Sequence, residues 1–235
     1  MTLRDNMIMW LPLDEASGTR YDAHTNGNDM ADHGVGQGTI FGGDGADFER
    51  DSSQYLSITD ALQTGLDLVD TSFSIAFKVR FESVGSLVHT FCAKWDADGS
   101  RQFMLRINGT TMQMYVSGNG NSSGAGYATW SPSTATDYFV VATYDTVTGN
   151  VSFRIDNVNL TVTQGASLSG TANTAAAFNI GIYWPGTVSH YFDGRMKDFS
   201  MYDIELSSDE QDELWNGGTP LDYAGTVPAV TTNEC

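Results

Sequence analysis

The sequence predicts an all-β fold: an antiparallel sandwich or barrel with one short C-terminal helix. Three observations carry this. Short apolar runs recur along the chain, separated by clusters of Gly, Asn, Asp and Ser. Residues 72–81 (SFSIAFKVRF) put Phe73, Ile75, Phe77, Val79 and Phe81 on one face and Ser, Ala, Lys and Arg on the other. That period of two does not fit a helix. Helix signals gather in one place, at 207–216, where Ser207 and Glu210 form a capping box and acids fill the first turn. Gly217 and Gly218, with Pro220 beyond, stop it.

Each element has its own signature. The apolar run 7–13 is interrupted by Pro12 and followed by acids, with no small-residue cleavage site, so it reads as a first strand rather than a signal peptide. Segments 101–107 and 111–116 flank Asn108-Gly109, the strongest hairpin signal in the chain. Segments 138–144, 151–155 and 158–162 lie close together and predict a meander paired in sequence order. Segments 178–184 and 199–202 supply the last strands. Met196, Phe199 and Met201 are expected to pack beside Met7, Met9 and Leu11, and the helix to cover one end of the sandwich with Trp215. No repeat or linker divides residues 1–218. Residues 219–235 lose periodicity and read as a tail, or as an arm that orders against a partner.

Composition narrows the function. The formal charge is −18 over 235 residues. On roughly 10,000 Å² of folded surface that is about one net negative charge per 600 Å². Such a surface repels phosphate backbones and anionic headgroups, which disfavours nucleic-acid and membrane partners. Cationic partners and divalent ions remain. No stretch is long and apolar enough to span a bilayer. Cys92, in an apolar strand-like run, reads as inert core and Cys235 as an exposed terminal residue, two thiols rather than a disulfide framework. Sequons begin at Asn108, Asn121, Asn150 and Asn159, and without a leader they read as unused.

Several stretches then resemble one family. Trp10-Leu11-Pro12-Leu13-Asp14-Glu15 followed by Ser17-Gly18 is similar to the opening of laminin-G-like, concanavalin A-like domains. Residues 42–48 and Tyr55-Leu56-Ser57-Ile58 resemble their second block, and 72–80 a strand in which Lys78 stands where Trp is common. Residues 192–202 and the closing helix with Leu214-Trp215-Asn216-Gly217 resemble the family's end. The resemblance runs from about residue 7 to 218, and it implies a lectin-like all-β fold, a two-sheet antiparallel jelly-roll sandwich with one short C-terminal helix.

Glycan-cleaving enzymes share that fold, which makes catalysis the competing expectation. No strand carries the clustered acids of the hydrolase relatives, and retaining hydrolysis needs two carboxylates about 5–5.5 Å apart. Asp203 and Glu205 read as a turn. His24, His33, His89 and His190 have no partner at catalytic or ligand spacing, and the Gln-x-His strand of lyase relatives is absent. The expectation is therefore a protein that is not an enzyme. The resemblance also implies a structural Ca²⁺ between the loop after the first strand and the last strand. Asp22, Asn26, Asn28, Asp29, Asp32 and Asp198 offer oxygens there; the competing reading is a solvated Asn/Asp turn loop. Asp96-Ala97-Asp98-Gly99 begins like a calcium loop but reads as a hairpin turn. Sugar binding would use exposed aromatics beside amides: Tyr127 and Trp130, and Tyr183 and Trp184, although Trp130 and Trp184 taken singly are more often strand-end core.

Two functions follow from these readings. One is an adhesion module that binds a glycan or glycoprotein at an extracellular surface. The other is a structural decoration or fibre-associated component of a virion, with neighbouring subunits, including copies of itself, as partners.

Overall fold

The computed structural model describes residues 3–97, 99–121, 123–165, 170–183 and 190–222. In chain order the strands are β1 (Met7–Leu11), β2 (Ala31–His33), β3 (Gly36–Ile40), β4 (Gly43–Phe48), β5 (Tyr55–Ile58) and β6 (Phe73–Phe81). Next come β7 (Val88–Trp95), β8 (Arg101–Asn108), β9 (Thr111–Gly120), β10 (Gly124–Thr129) and β11 (Asp137–Asp145). The set closes with β12 (Asn150–Ile155), β13 (Val158–Asn159), β14 (Val162–Gln164), β15 (Phe178–Ile180) and β16 (Gly194–Tyr202). One helix, α1 (Ser208–Trp215), follows.

Two eight-stranded sheets result. The first runs β13-β12-β11-β6-β16-β4-β3, with β1 pairing β16; the second runs β14-β10-β9-β8-β7-β15-β5-β2. All the strand pairs are antiparallel, as the closely spaced meander and hairpin signals require. The second sheet's β8 and β9 meet at Asn108 and Thr111, with Gly109 in the left-handed region at φ 60°. At each side of the sandwich the rim strands of the two sheets are consecutive in the chain. Gly34 and Val35 carry the chain from β2 to β3, and Leu160 and Thr161 from β13 to β14. Val35 is buried in the core and Leu160 packs against it.

The core lies between the sheets. Phe73, Ile75, Phe77, Val79 and Phe81 all point into it, in the register that their alternation requires. Facing them are Phe91, Phe103, Leu105, Met112, Met114 and Phe178 of the second sheet. Met9 pairs with Met201 and Leu11 with Phe199, so the first and last strands do close together. Met7 departs from this. A register shift at Ile8 turns Ile8 into the core and Met7 into a second cluster on the outer face of the first sheet.

That second cluster corrects the place of the helix. Phe139, Val141 and Ala76 are outward positions of β11 and β6, yet they are buried beneath Trp10, Tyr202, Leu206 and Leu214. The helix therefore lies on this face rather than over an end of the sandwich, with Trp215 stacked on Phe139 at 6.2 Å. A sheet apolar on both faces needs a second cover, and the C-terminal segment supplies it. The capping box is formed: the Ser207 N–H donates to Glu210 Oε2 at 2.8 Å, and Ser207 Oγ accepts from the Glu210 N–H at 3.4 Å. Ser207→Ala should cost about 1 kcal/mol in urea denaturation, the usual effect of losing such a cap.

Two strand expectations are also corrected. Segment 158–162 is not one strand, because the chain leaves the first sheet after Asn159 and enters the second at Val162. The strand expected at 178–184 ends at Ile180. Asp98, Trp184, Cys235 and most of the tail, 223–235, lie outside the described residues. Cys92 is a buried core residue whose thiol burial pushes well up, out of the reactive range. Among the described residues no helix is long and apolar enough to cross a membrane.

Candidate functional site

The loop between β1 and β2 is built by side chains that accept from its own backbone. Asp22 Oδ1 accepts the N–H groups of Trp10 at 2.8 Å and His24 at 2.9 Å, and Oδ2 accepts that of Asn28 at 2.9 Å. Asp29 accepts from the Asp22 N–H, and Asp32 from the N–H groups of Gly18 and Val35. The Asn26 and Asn28 amides donate to the carbonyls of Ile8 and Thr64. Burial raises the Asp22 carboxyl, and these backbone donors oppose the rise.

Asp198 sits elsewhere. It occupies the bulge where β16 passes from pairing β4 to pairing β1, at φ 49°. Its Oδ2 is 2.7 Å from Lys78 Nζ, with both side chains almost wholly buried. Trp10 turns its N–H and carbonyl to residues 22 and 23 on one edge of β1, while β16 lies along the other. The expected set Asp22, Asn26, Asp32 and Asp198 is thus not brought together. Ca²⁺ needs 6–8 converging oxygens. The oxygens of Asp22 and Asp32 face N–H donors and that of Asp198 an ammonium, so the set does not fit the ion. Lys78 supplies the positive charge that a cation was expected to bring. Among the described residues the acids that do cluster are Asp47, Glu49 and Glu82. Arg195 already bridges two of them, at 3.3 Å to Asp47 and 2.8 Å to Glu82.

The expected aromatic residues separate. Trp130 is buried, edge-on to Phe81 at 5.5 Å and to Tyr138 at 5.3 Å, so it is core and not a sugar platform. Tyr127 and Tyr183 are half-buried and stand on the outer face of the second sheet. There they join residues that the sequence reading missed. Trp95 packs with Ala93 and Met104, and Tyr115 and Tyr183 lean on that group. Tyr115 meets Trp95 at 6.1 Å and Tyr127 at 6.2 Å, both edge-on, and Tyr183 lies 4.9 Å from His190. Strand register explains the assembly. Tyr127 stands across from Gln113, and Gln113 across from Arg106, on three neighbouring strands. Arg106 Nε donates to Gln113 Oε1 at 2.7 Å and Nη2 to the Tyr115 hydroxyl at 3.0 Å, with the guanidinium 4.8 Å over the Tyr115 ring. Burial, and then Tyr115, raise the Tyr127 phenol. Arg101 lies 5.5 Å over the Trp95 ring. The face is a row of rings beside a guanidinium held in place.

A family model described as the concanavalin A-like lectin/glucanases superfamily matches residues 50–210. The chain belongs to this superfamily. No curated protein matches it in sequence. Solved structures similar to this superfamily member include the binding domain of botulinum neurotoxin serotype C1, at 17% identity and TM-score 0.69, covering 91% of this chain and 52% of that one. A structure of botulinum neurotoxin type C, concerned with its interaction with two ganglioside molecules, is 16% identical at TM-score 0.70, with 92% and 52% covered. The binding domain of botulinum neurotoxin DC in complex with SialylT is 16% identical at TM-score 0.68, with 91% and 52% covered. The chain therefore spans about half the length of these structures. At such identities the likeness is one of fold, the concanavalin A-like jelly roll.

Proposed function

We propose that this concanavalin A-like domain is a non-catalytic module that binds a glycan, free or on a glycoprotein, at an extracellular surface. The observation that carries the reading is the pair Tyr115 and Tyr127, half-buried and edge-on to one another beside Arg106 on the outer face of the second sheet, with Trp95 buried behind Tyr115. Sugar rings present C–H faces to aromatic rings and hydroxyls to fixed polar groups, and this face offers both side by side. The non-catalytic part of the reading is supported by the same strands: β5, β7, β8, β9, β10, β14 and β15 carry no Asp or Glu, where glycoside hydrolysis uses a pair of carboxylates. The fold shared with toxin binding domains, one of them in complex with SialylT, supports a binding role.

A glycan array, followed by titration of the hits, tests the reading. Tyr127→Ala and Tyr115→Ala should each weaken binding at least roughly tenfold (about 1.4 kcal/mol) while leaving the melting temperature nearly unchanged. Binding that survives both substitutions in folded protein would place the ligand elsewhere.

A further inference from the structure

The acidic surface is not uniform. The chain has 29 Asp and Glu residues, yet none occurs between Asp98 and Asp137 or between Asp156 and Asp193. Those two stretches build β8, β9, β10, β14 and β15 of the second sheet, and the two-residue β13 of the first. Of the remaining strands in the second sheet, only β2 carries an acid, Asp32, and its two oxygens accept backbone N–H groups at the rim. The first sheet differs, with Asp44, Asp47, Asp137, Asp145 and Asp198 on its strands. Two arginines lie over the acid-free face: Arg106 stands in its middle and Arg101 over Trp95.

We propose that this face selects an anionic saccharide, one bearing a carboxylate or sulfate, with Arg106 as the anion contact. The proposal rests on the glycan-binding reading and adds the charge of the ligand. Arg106 is oriented through Nε to Gln113 and Nη2 to Tyr115, which fixes the plane of the fork. A guanidinium so held presents its remaining N–H groups in the geometry that suits a carboxylate or sulfate oxygen pair. The strands around Arg106 carry no carboxylate to repel such an anion or to pair with the guanidinium in its place.

The test titrates the intact protein with three oligosaccharides of one chain length: a galactan, a polygalacturonate and a sulfated galactan. The wild type should bind at least one charged form tenfold or more tightly than the neutral one, with the advantage shrinking as salt rises. Whichever charged form binds better names the anion. Arg106→Gln should remove the advantage, so that charged and neutral forms bind alike, and Arg106→Lys, which keeps the charge without the fork, should retain part of it. Equal binding of neutral and charged sugars that is still lost in Tyr127→Ala overturns the anion preference while the glycan face stands. An advantage that persists in Arg106→Gln also overturns it. Charged-sugar binding indifferent to both Tyr127→Ala and Arg106→Gln removes the face itself.

Discussion

Asp198→Asn is expected to lower stability by about 3–5 kcal/mol, the usual cost of removing one member of a buried ion pair. For a chain of this size that is a fall in melting temperature of roughly 6–20 °C. The reason is the partner left behind. Among the described residues Lys78 Nζ has Asp198 Oδ2 at 2.7 Å and, beyond that, the Phe41 ring at 5.6 Å, so its ammonium would remain buried with almost nothing to meet its charge. Asn is the informative replacement, because it tolerates the left-handed backbone at this bulge and removes only the charge. The double variant Lys78→Met/Asp198→Asn should recover most of the loss, since a buried pair exchanged for apolar packing is often neutral. If the single variant melts with the wild type, the pair contributes nothing. If EDTA lowers the wild-type melting temperature, a divalent ion takes part after all.

The second large effect is one of pH. His89 is buried, edge-on to Phe81 and Phe192, and its Nδ1 accepts from Arg50 Nη2 at 3.0 Å. Burial first, and then the Arg50 charge, hold the imidazole down to about 4. In the unfolded chain the same group titrates near 6.5. The neutral form is thus favoured by folding, and its contribution is complete above pH 6.5. As pH falls towards 4 the unfolded chain takes up a proton that the folded one refuses, which removes about 3 kcal/mol. Carboxylates titrate in the same window, so the measurement is a difference. Urea denaturation of wild type and His89→Gln at pH 7 and pH 4 should show the gap between them narrowing by about that amount. A gap that stays constant would mean that His89 titrates alike in both states.

The fold was legible because its strands alternate. In residues 72–81 every second residue is large and apolar, which leaves one register. The helix was legible from Ser207 and Glu210, but its docking place was not. In 138–144 (YFVVATY) both faces are apolar, and nothing in that string says that Phe139 and Val141 await a helix while Val140 and Ala142 face the core. The crossing at Leu160 and Thr161 was hidden for a related reason: alternation continues through it, and only pairing partners reveal the change of sheet. The candidate face was half visible. Tyr127 and Tyr183 stood out as aromatics near polar loops, whereas Trp95, Tyr115 and Arg106 were passed over as strand residues. Their signal was the outward parity of β7, β8 and β9. The loop at 22–32 shows a different limit, because a carboxylate that ligates a cation and one that accepts an N–H are spelled alike.

The two short crossings also decide how the molecule behaves in a crowd. A sheet grows into fibres when a neighbour adds a strand to a long open rim. Here β13 is a stub of two residues, and β2 and β14 have three each. β3 has the carbonyl of Thr39 taken by Arg80 and Arg195, and the outer edge of β1 is taken by residues 22–28. Arg20, itself wholly buried, occupies the carbonyls of Val35 and Gly36 where the chain turns from one layer to the other. An incoming strand finds little backbone to pair with on either flank. Copies packed densely side by side can therefore touch through their faces without zipping together along their edges.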